Sequence, residues 1–301
     1  MPVRTVTTYD EWTEVSRAFA DGAFEVLLAC GSAGLSKSYT MRQVLGGRAH
    51  WITGNASPFQ FYCDGWPLSV EHRQQAEAEG GTGLLVIDDC DQLLGDRAGL
   101  NLMKAFCQTD EEKLIGWNTA SKQLEQRGIP RQYHFDGRVC VISNDYHALT
   151  KHLKAVLDRG LLILCKFPAA EVHRNVESWW PHVATGKNGF DAEVFDFIGS
   201  HLHLIAGPSM RNYIVGAQAK RAGLDWKAIL FETFGLSEEY TAVARIMDGP
   251  LSGEDRVRAF HDATGMSRAT FFRIKGEVEA LKSGRPIKEG KQRNRGLSVI
   301  S

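Results

Sequence analysis

Eight residues, Gly31-Ser32-Ala33-Gly34-Leu35-Ser36-Lys37-Ser38, constrain this chain more than any other stretch. The apolar run Phe24 to Cys30 before them reads as a buried strand, and Tyr39 to Val44 after them can continue as a helix. A strand, a loop of small residues, Lys-Ser and a helix make a cradle for phosphate. The loop N–H groups and the helix N-terminus face anionic oxygens. Gly31, Ser32, Ala33, Gly34, Leu35, Ser36, Lys37, Ser38 and Tyr39 are therefore the candidate nucleotide-binding residues. Lys37 would reach the β- and γ-phosphates and the Ser38 hydroxyl would hold Mg²⁺. The usual spacing is G-x-x-x-x-G-K-[ST], and Ser36 stands where the second Gly is usual. Serine tolerates a positive φ less well than glycine does. On these residues alone, an ordinary strand-to-helix turn rich in small residues is the alternative.

The rest of the chain weighs on that choice. Its 301 residues suffice for one sizeable domain and one or two small ones. Hydrophobic content of 43% with 24% charged residues is that of a soluble globular protein. The net charge of −1 requires any nucleic-acid contact to come from a local basic patch. No apolar run reaches the roughly 18 residues of a membrane span, and Met1 to Tyr9 lacks the apolar core of a signal peptide. Cysteines 30, 63, 90, 107, 140 and 165 form no C-x-x-C pair and read as reduced core residues of a cytoplasmic protein.

In chain order, Tyr9, Trp12, Val15 and Phe19 predict an amphipathic helix over 9–20. His50 to Thr53 reads as a second strand, Ser57-Pro58 as a helix start, and 69–79 as a polar helix. Leu84-Leu85-Val86-Ile87-Asp88-Asp89 is an apolar strand running into two acids, the form of a Walker B strand. Asp88 is assigned to Mg²⁺ through water and Asp89 to water activation. Asp91 is a third acid that could substitute, and acids ending a strand in solvent are the plainer alternative. Residues 97–107 read as a helix and 108–137 as mixed. Arg138 to Asn144 is another buried strand. Its terminal Asn144 can bond a γ-phosphate or the lytic water, or instead make a local turn. A helix over 147–157 and a fifth strand, Leu161 to Phe167, complete an expected five-stranded parallel α/β sheet.

With these motifs in this order, the segment 24–167 resembles the AAA+ ATPases, P-loop enzymes, and among them those encoded by bacteriophages and mobile elements. The resemblance implies ATP as the nucleotide, Asn144 as sensor 1, and Arg159 as an arginine finger acting on the neighbouring subunit's γ-phosphate. It thereby implies self-assembly into a hexamer-like ring or a filament. It also implies a helical lid over 170–248, with Ser209 as an N-cap and Arg211 as sensor 2. The expected domains are 1–169, 170–248, 249–283 and a basic tail over 284–301.

Turn residues over Asp248 to Gly253 mark a boundary. Glu254 to Leu281 then reads as two helices about Thr264-Gly265-Met266-Ser267 and resembles a helix-turn-helix. Ser267, Arg268, Thr270 and Arg273 would face DNA, and Arg285, Lys288, Lys291, Arg293 and Arg295 would contact phosphates. A helical hairpin packed on the lid is the alternative. Loops Gly54 to Phe61 and Trp117 to Arg131 could also touch nucleic acid, by position in related ring ATPases. The expectation is a cytoplasmic ATPase of a bacterial or phage-infected cell, acting on DNA or on an unidentified DNA-bound protein. A nucleotide-dependent switch with slow or no hydrolysis is the second reading, and a protein unfoldase the third.

Overall fold

The structure, a computed structural model, describes residues 3–75, 83–118, 122–152, 154–184, 186–205, 209–236 and 238–282. The chain divides after Phe167 into two compact units.

The first unit opens with β1 (Val3–Val6) and α1 (Tyr9–Ala20). Thr8 and Glu11 form a capping box at the start of α1. Glu11 N donates to Thr8 Oγ1 at 3.2 Å, while Glu11 Oε2 accepts from Thr7 N and Thr8 N at 2.7 and 3.3 Å. The bond from Thr7 N–H holds the Glu11 carboxyl below its ordinary pKa. Next come β2 (Val26–Cys30), α2 (Lys37–Leu45), β3 (Ala49–Thr53), α3 (Pro58–Gly65) and α4 (Val70–Gln75). β4 (Leu84–Asp88), α5 (Asp91–Gly95), α6 (Arg97–Phe106), β5 (Lys113–Gly116), α7 (Gln123–Gln126) and β6 (Gln132–Phe135) follow. β7 (Arg138–Ser143), α8 (Tyr146–His152), α9 (Lys154–Leu157) and β8 (Leu161–Cys165) end the unit.

The sheet has six strands where five were expected, in the order β1-β8-β2-β7-β4-β3, and every neighbouring pair is parallel. The added strand is β1, which pairs with β8 from Val3↔Leu162 to Val6↔Cys165. Three of its four residues are exposed, so no buried apolar run announces it. The central strands are apolar throughout because both faces are covered. Val26, Leu28, Cys30, Leu85, Ile87, Val139 and Val141 share a core with Phe61, Tyr62, Phe106, Tyr133 and Phe135. The alternate residues Leu27, Ala29, Val86, Cys140, Ile142 and Ile163 are buried as well. The stretch 108–137, which carries no clear period, holds an antiparallel β5–β6 hairpin. The helix expected over 147–157 is described as α8 and α9, and residue 153 between them lies outside the described residues.

The register places the functional ends. Cys30 pairs with Ser143, and Asp88 with Ile142, so the loops after β2, β4 and β7 leave the same edge of the sheet. That edge, flanking the central strand, is where ligands bind in parallel α/β folds.

The second unit is helical, with α10 (Ala169–Trp179), α11 (Ala192–His201), α12 (Met210–Arg221), α13 (Trp226–Thr233), α14 (Glu238–Asp248), α15 (Gly253–Thr264) and α16 (Arg268–Lys282). α14 packs on both α15 and α16, and Tyr240 Oη donates to the Glu277 carboxylate. The expected boundary at 248 therefore falls inside this unit. The expected tail, 284–301, lies outside the described residues. No helix among the described residues is long and apolar enough to cross a membrane. All six cysteines are buried.

Candidate active site

The loop between β2 and α2 is built around two backbone constraints. A Cβ on Gly31 would lie 2.5 Å from Cys165 O, so the close approach of β8 excludes any side chain there. Ser36, the residue in place of glycine, adopts φ 54°, ψ 23° at the N-cap of α2. Asp89 also has φ 54°. Among the described residues these two are the non-glycine positions with positive φ, and both border the same edge. Backbone strain of this kind gathers at functional sites, where surrounding structure enforces it.

The side chains between them form two hydrogen-bonded sets on neighbouring residues. Lys37 is 4% exposed. Its Nζ donates to Gly31 O at 2.6 Å, Ser32 O at 2.9 Å and Asn144 Oδ1 at 2.8 Å. Asn144 Nδ2 donates to Asp89 Oδ1 at 2.6 Å. Ser38 Oγ donates to Asp88 Oδ1, also at 2.6 Å. Burial pushes the Lys37 pKa below its ordinary value, against the charges of Asp89 and Asp88. Burial likewise pushes the Asp88 carboxyl up, against the bond from Ser38. Both groups are thus carried in a setting that disfavours their charged forms, and an anion with its counter-cation would relieve both. The local turn after β7 is made by Ser143, whose Oγ accepts from Asp145 N at 3.1 Å. Asn144 is left to face Asp89 and Lys37. Trp12 Nε1 donates to Lys37 O at 3.1 Å and ties α1 to the first turn of α2.

These residues fit a magnesium-bound nucleoside triphosphate. Ser38 and Asp88 supply the hard oxygens that Mg²⁺ takes. Lys37 is an ammonium held by carbonyl acceptors, and phosphate oxygens can replace those acceptors as its partners. Asp89, exposed and oriented by Asn144, is a carboxylate placed to bind water.

The other expected residues lie elsewhere. Arg159 precedes β8, at the opposite edge of the sheet from its own Lys37. Its Nη1 donates to Lys104 O at 2.9 Å. Arg211 is exposed on the first turn of α12 in the second unit. Ser209 caps that helix, its N donating to Asn212 Oδ1 at 2.6 Å. Ser267 caps α16 through Thr270 N at 3.3 Å. Arg268 pairs with Glu254 and stacks over Phe272, and Arg273 pairs with Glu277 at 2.9 Å. The side chain of Asp91 lies outside the described residues. The two loops considered for nucleic-acid contact meet in the fold. Phe59 and Trp117 have ring centroids 5.9 Å apart, and Arg127 covers Phe59 at 5.3 Å while bonding Gln60 Oε1.

The sequence reading missed Arg42. It lies 3.7 Å over the Trp51 ring, and its charge acts on Asp88. The signal was available, since position 42 is one helical turn beyond Ser38 and shares its face.

No family model matches the chain. An uncharacterized 36.7 kDa protein in the nrdC-mobD intergenic region of Enterobacteria phage T4 is 29% identical over 164 residues, 50% of this chain and 47% of that protein. The chain thus spans about half the length of the phage relative it matches. Among solved structures, the Walker-type ATPase PABY2304 of Pyrococcus abyssi is 12% identical, with 93% of this chain and 92% of that one covered and a TM-score of 0.43. NtrX from Brucella abortus in complex with ADP is 13% identical, with 90% and 68% covered and a TM-score of 0.44. At these scores neither likeness bears on chemistry. The fold and site stand on this structure itself: a parallel α/β unit whose loop after the central strand holds Lys37 and Ser38 against Asp88, Asp89 and Asn144.

Proposed function

We propose that this chain is an ATP hydrolase of the AAA+ type that assembles when ATP binds and acts on DNA or on a protein bound to it. One observation carries the reading: loops separated by fifty and more residues in sequence bring Lys37, Asn144 and Asp89 into one hydrogen-bonded chain and Ser38 onto Asp88 beside it. Isolated strand ends have no reason to share such a network.

In that reading Lys37 leaves the Gly31 and Ser32 carbonyls and donates to phosphate oxygens. Mg²⁺ held near Ser38 and Asp88 would supply charge neutralisation on the phosphates. Asp89 orients the attacking water, and Asn144 fixes the carboxylate through its amide. Arg159 lies at the far edge of its own sheet, so it serves a site in trans. Arg211 contacts phosphate from the helical unit. Action on DNA draws on the Ser267–Arg273 face of α16 and on the joined Phe59–Trp117–Arg127 surface. A phage or mobile-element setting, within the cytoplasm of a host cell, agrees with the T4 relative that the chain matches over about half its length.

The test is steady-state ATP hydrolysis with and without DNA, for the full chain beside Lys37→Ala and Arg159→Ala. Turnover should rise with DNA and fall by about tenfold or more in each variant. Mixing the two variants should restore part of it, since one contributes an intact site and the other an intact Arg159. The second reading, a nucleotide-dependent switch, is favoured by the strained Ser36 and by the short Asp89 side chain already engaged by Asn144. ATP binding without turnover under any condition selects it.

A further inference from the structure

Arg42 stands beside the candidate metal ligands, and the proposed reaction does not use it. It follows Ser38 by one turn of α2 and shares its face, and Ser38 Oγ donates to Asp88 Oδ1 at 2.6 Å. β3 supplies the other side of the corner. Trp51 pairs with Val86 and Thr53 with Asp88, so Trp51 lies on the sheet face that carries Asp88. The Arg42 guanidinium lies 3.7 Å from the centroid of the Trp51 ring. It is thereby held between α2 and the end of β4, and its charge acts on Asp88.

Two observations say that this placement concerns charge. Among the described residues Arg42 makes no hydrogen bond or ion pair, so no direct partner neutralises its cation. The buried indole Nε1 of Trp51 has no hydrogen-bond partner among them either. A buried tryptophan N–H usually finds an acceptor. Here the ring is placed for its face, and that face carries the guanidinium. Lys37 is the second cation of the site, joined through Asn144 to Asp89. Lys37 and Arg42 offset Asp88 and Asp89, so these four side chains sum to zero charge. A divalent cation by itself would find Asp88 already balanced. The same cation brought by a nucleotide comes with anionic oxygens, which both Lys37 and Arg42 favour.

We propose that Arg42, braced on Trp51, is an internal counter-ion for Asp88 that discriminates against a free divalent cation in favour of its complex with nucleotide. The inference rests on the nucleotide reading of Lys37, Ser38 and Asp88, and adds the form in which the metal enters. Arg42 touches no reacting atom in this account. It acts through Asp88, as a positioning residue.

The experiment measures Mn²⁺ binding to the full chain without nucleotide, by electron paramagnetic resonance at low ionic strength, where an exposed charge is least screened. Binding of a fluorescent ATP analogue with Mg²⁺ is measured beside it. Without nucleotide, Arg42→Gln should bind Mn²⁺ about fivefold or more tightly than wild type. Adding Asp88→Asn to Arg42→Gln should abolish the gain, which separates this site from surface carboxylates. Arg42→Lys keeps the charge and changes the stacking, and should stay within about twofold of wild type. The analogue with Mg²⁺ should bind wild type and Arg42→Gln within about threefold of each other, which also shows that the variant folds. Suppose the analogue binds, but Arg42→Gln takes Mn²⁺ no better than wild type, or Arg42→Lys gains as much, or the gain survives Asp88→Asn. The counter-ion role is then wrong, and the nucleotide reading stands. If wild type binds no analogue with Mg²⁺, the nucleotide reading falls, and this inference with it.

Discussion

Ser36 shows how a single departure from a motif becomes a measurable quantity. Its left-handed φ costs an L-residue about 1–2 kcal/mol, part of which glycine would give back as unfolded-chain entropy. Ser36→Gly should therefore stabilise the protein by up to about 1 kcal/mol in urea unfolding. Unchanged or lower stability would mean that the conformation carries no penalty. Asp88 makes the companion case. Its folded pKa is raised by burial, so its contribution favours the folded state below the unfolded value of 3.8 and is lost as pH rises through the folded pKa. Asp88→Asn keeps an acceptor for Ser38 Oγ and removes that loss. The variant should melt higher than wild type above about pH 4 and match it in more acid solution, while losing Mg²⁺-dependent hydrolysis. A melting difference that stays constant with pH would show that ionisation of Asp88 is not its source.

Elements can be tested by paired glycines in the α15–α16 hairpin, where an added Cβ meets open space at both positions. Gly265 closes α15 at φ 68°. Gly276 lies within α16 without a positive φ. Gly265→Ala should cost about 1 kcal/mol, and Gly276→Ala should contribute roughly 0.5–1 kcal/mol, by thermal or urea unfolding. Equal signs would contradict the helix boundaries. The β5–β6 hairpin depends on a different resource. Tyr133 Oη donates to Tyr62 O at 2.7 Å, and its ring lies among Tyr62, Trp66 and Phe106. Phe106→Ala, which opens that cluster at a fully buried position, should cost about 3–5 kcal/mol. Wild-type stability in this variant would show that the hairpin is held from elsewhere.

At the scale of the whole chain, two units each bury their own core, and the proposed nucleotide site lies in the first. Calorimetric scans should resolve the two units. ATP with Mg²⁺ at one hundred times its dissociation constant should add about 2.7 kcal/mol to the first. A shift of both transitions by nucleotide would mean that the helical unit takes part in binding, as the proposed role of Arg211 requires. The choice between these outcomes also decides whether the lid reading of 170–248 survives.

Much of this was legible along the chain, because buried parallel strands must be apolar on both faces and phosphate loops must be small. Phe24 to Cys30, Leu84 to Asp88 and Val139 to Asn144 announce themselves in that way, and the helix over 9–20 by its period. β1 does not, since three of its four residues face solvent and its pairing with β8 joins residues about 160 apart. The hairpin over 113–135 is hidden for a related reason: its stability comes from aromatic contacts to α3 and α6, not from local propensity. At the site, residue types and spacing named Lys37, Ser38, Asp88 and Asp89. Only packing could decide that Asn144 bonds across to Asp89 and Lys37 and leaves the turn to Ser143. Both geometries suit an asparagine at a strand end, and the register of β7 between β2 and β4 selects one.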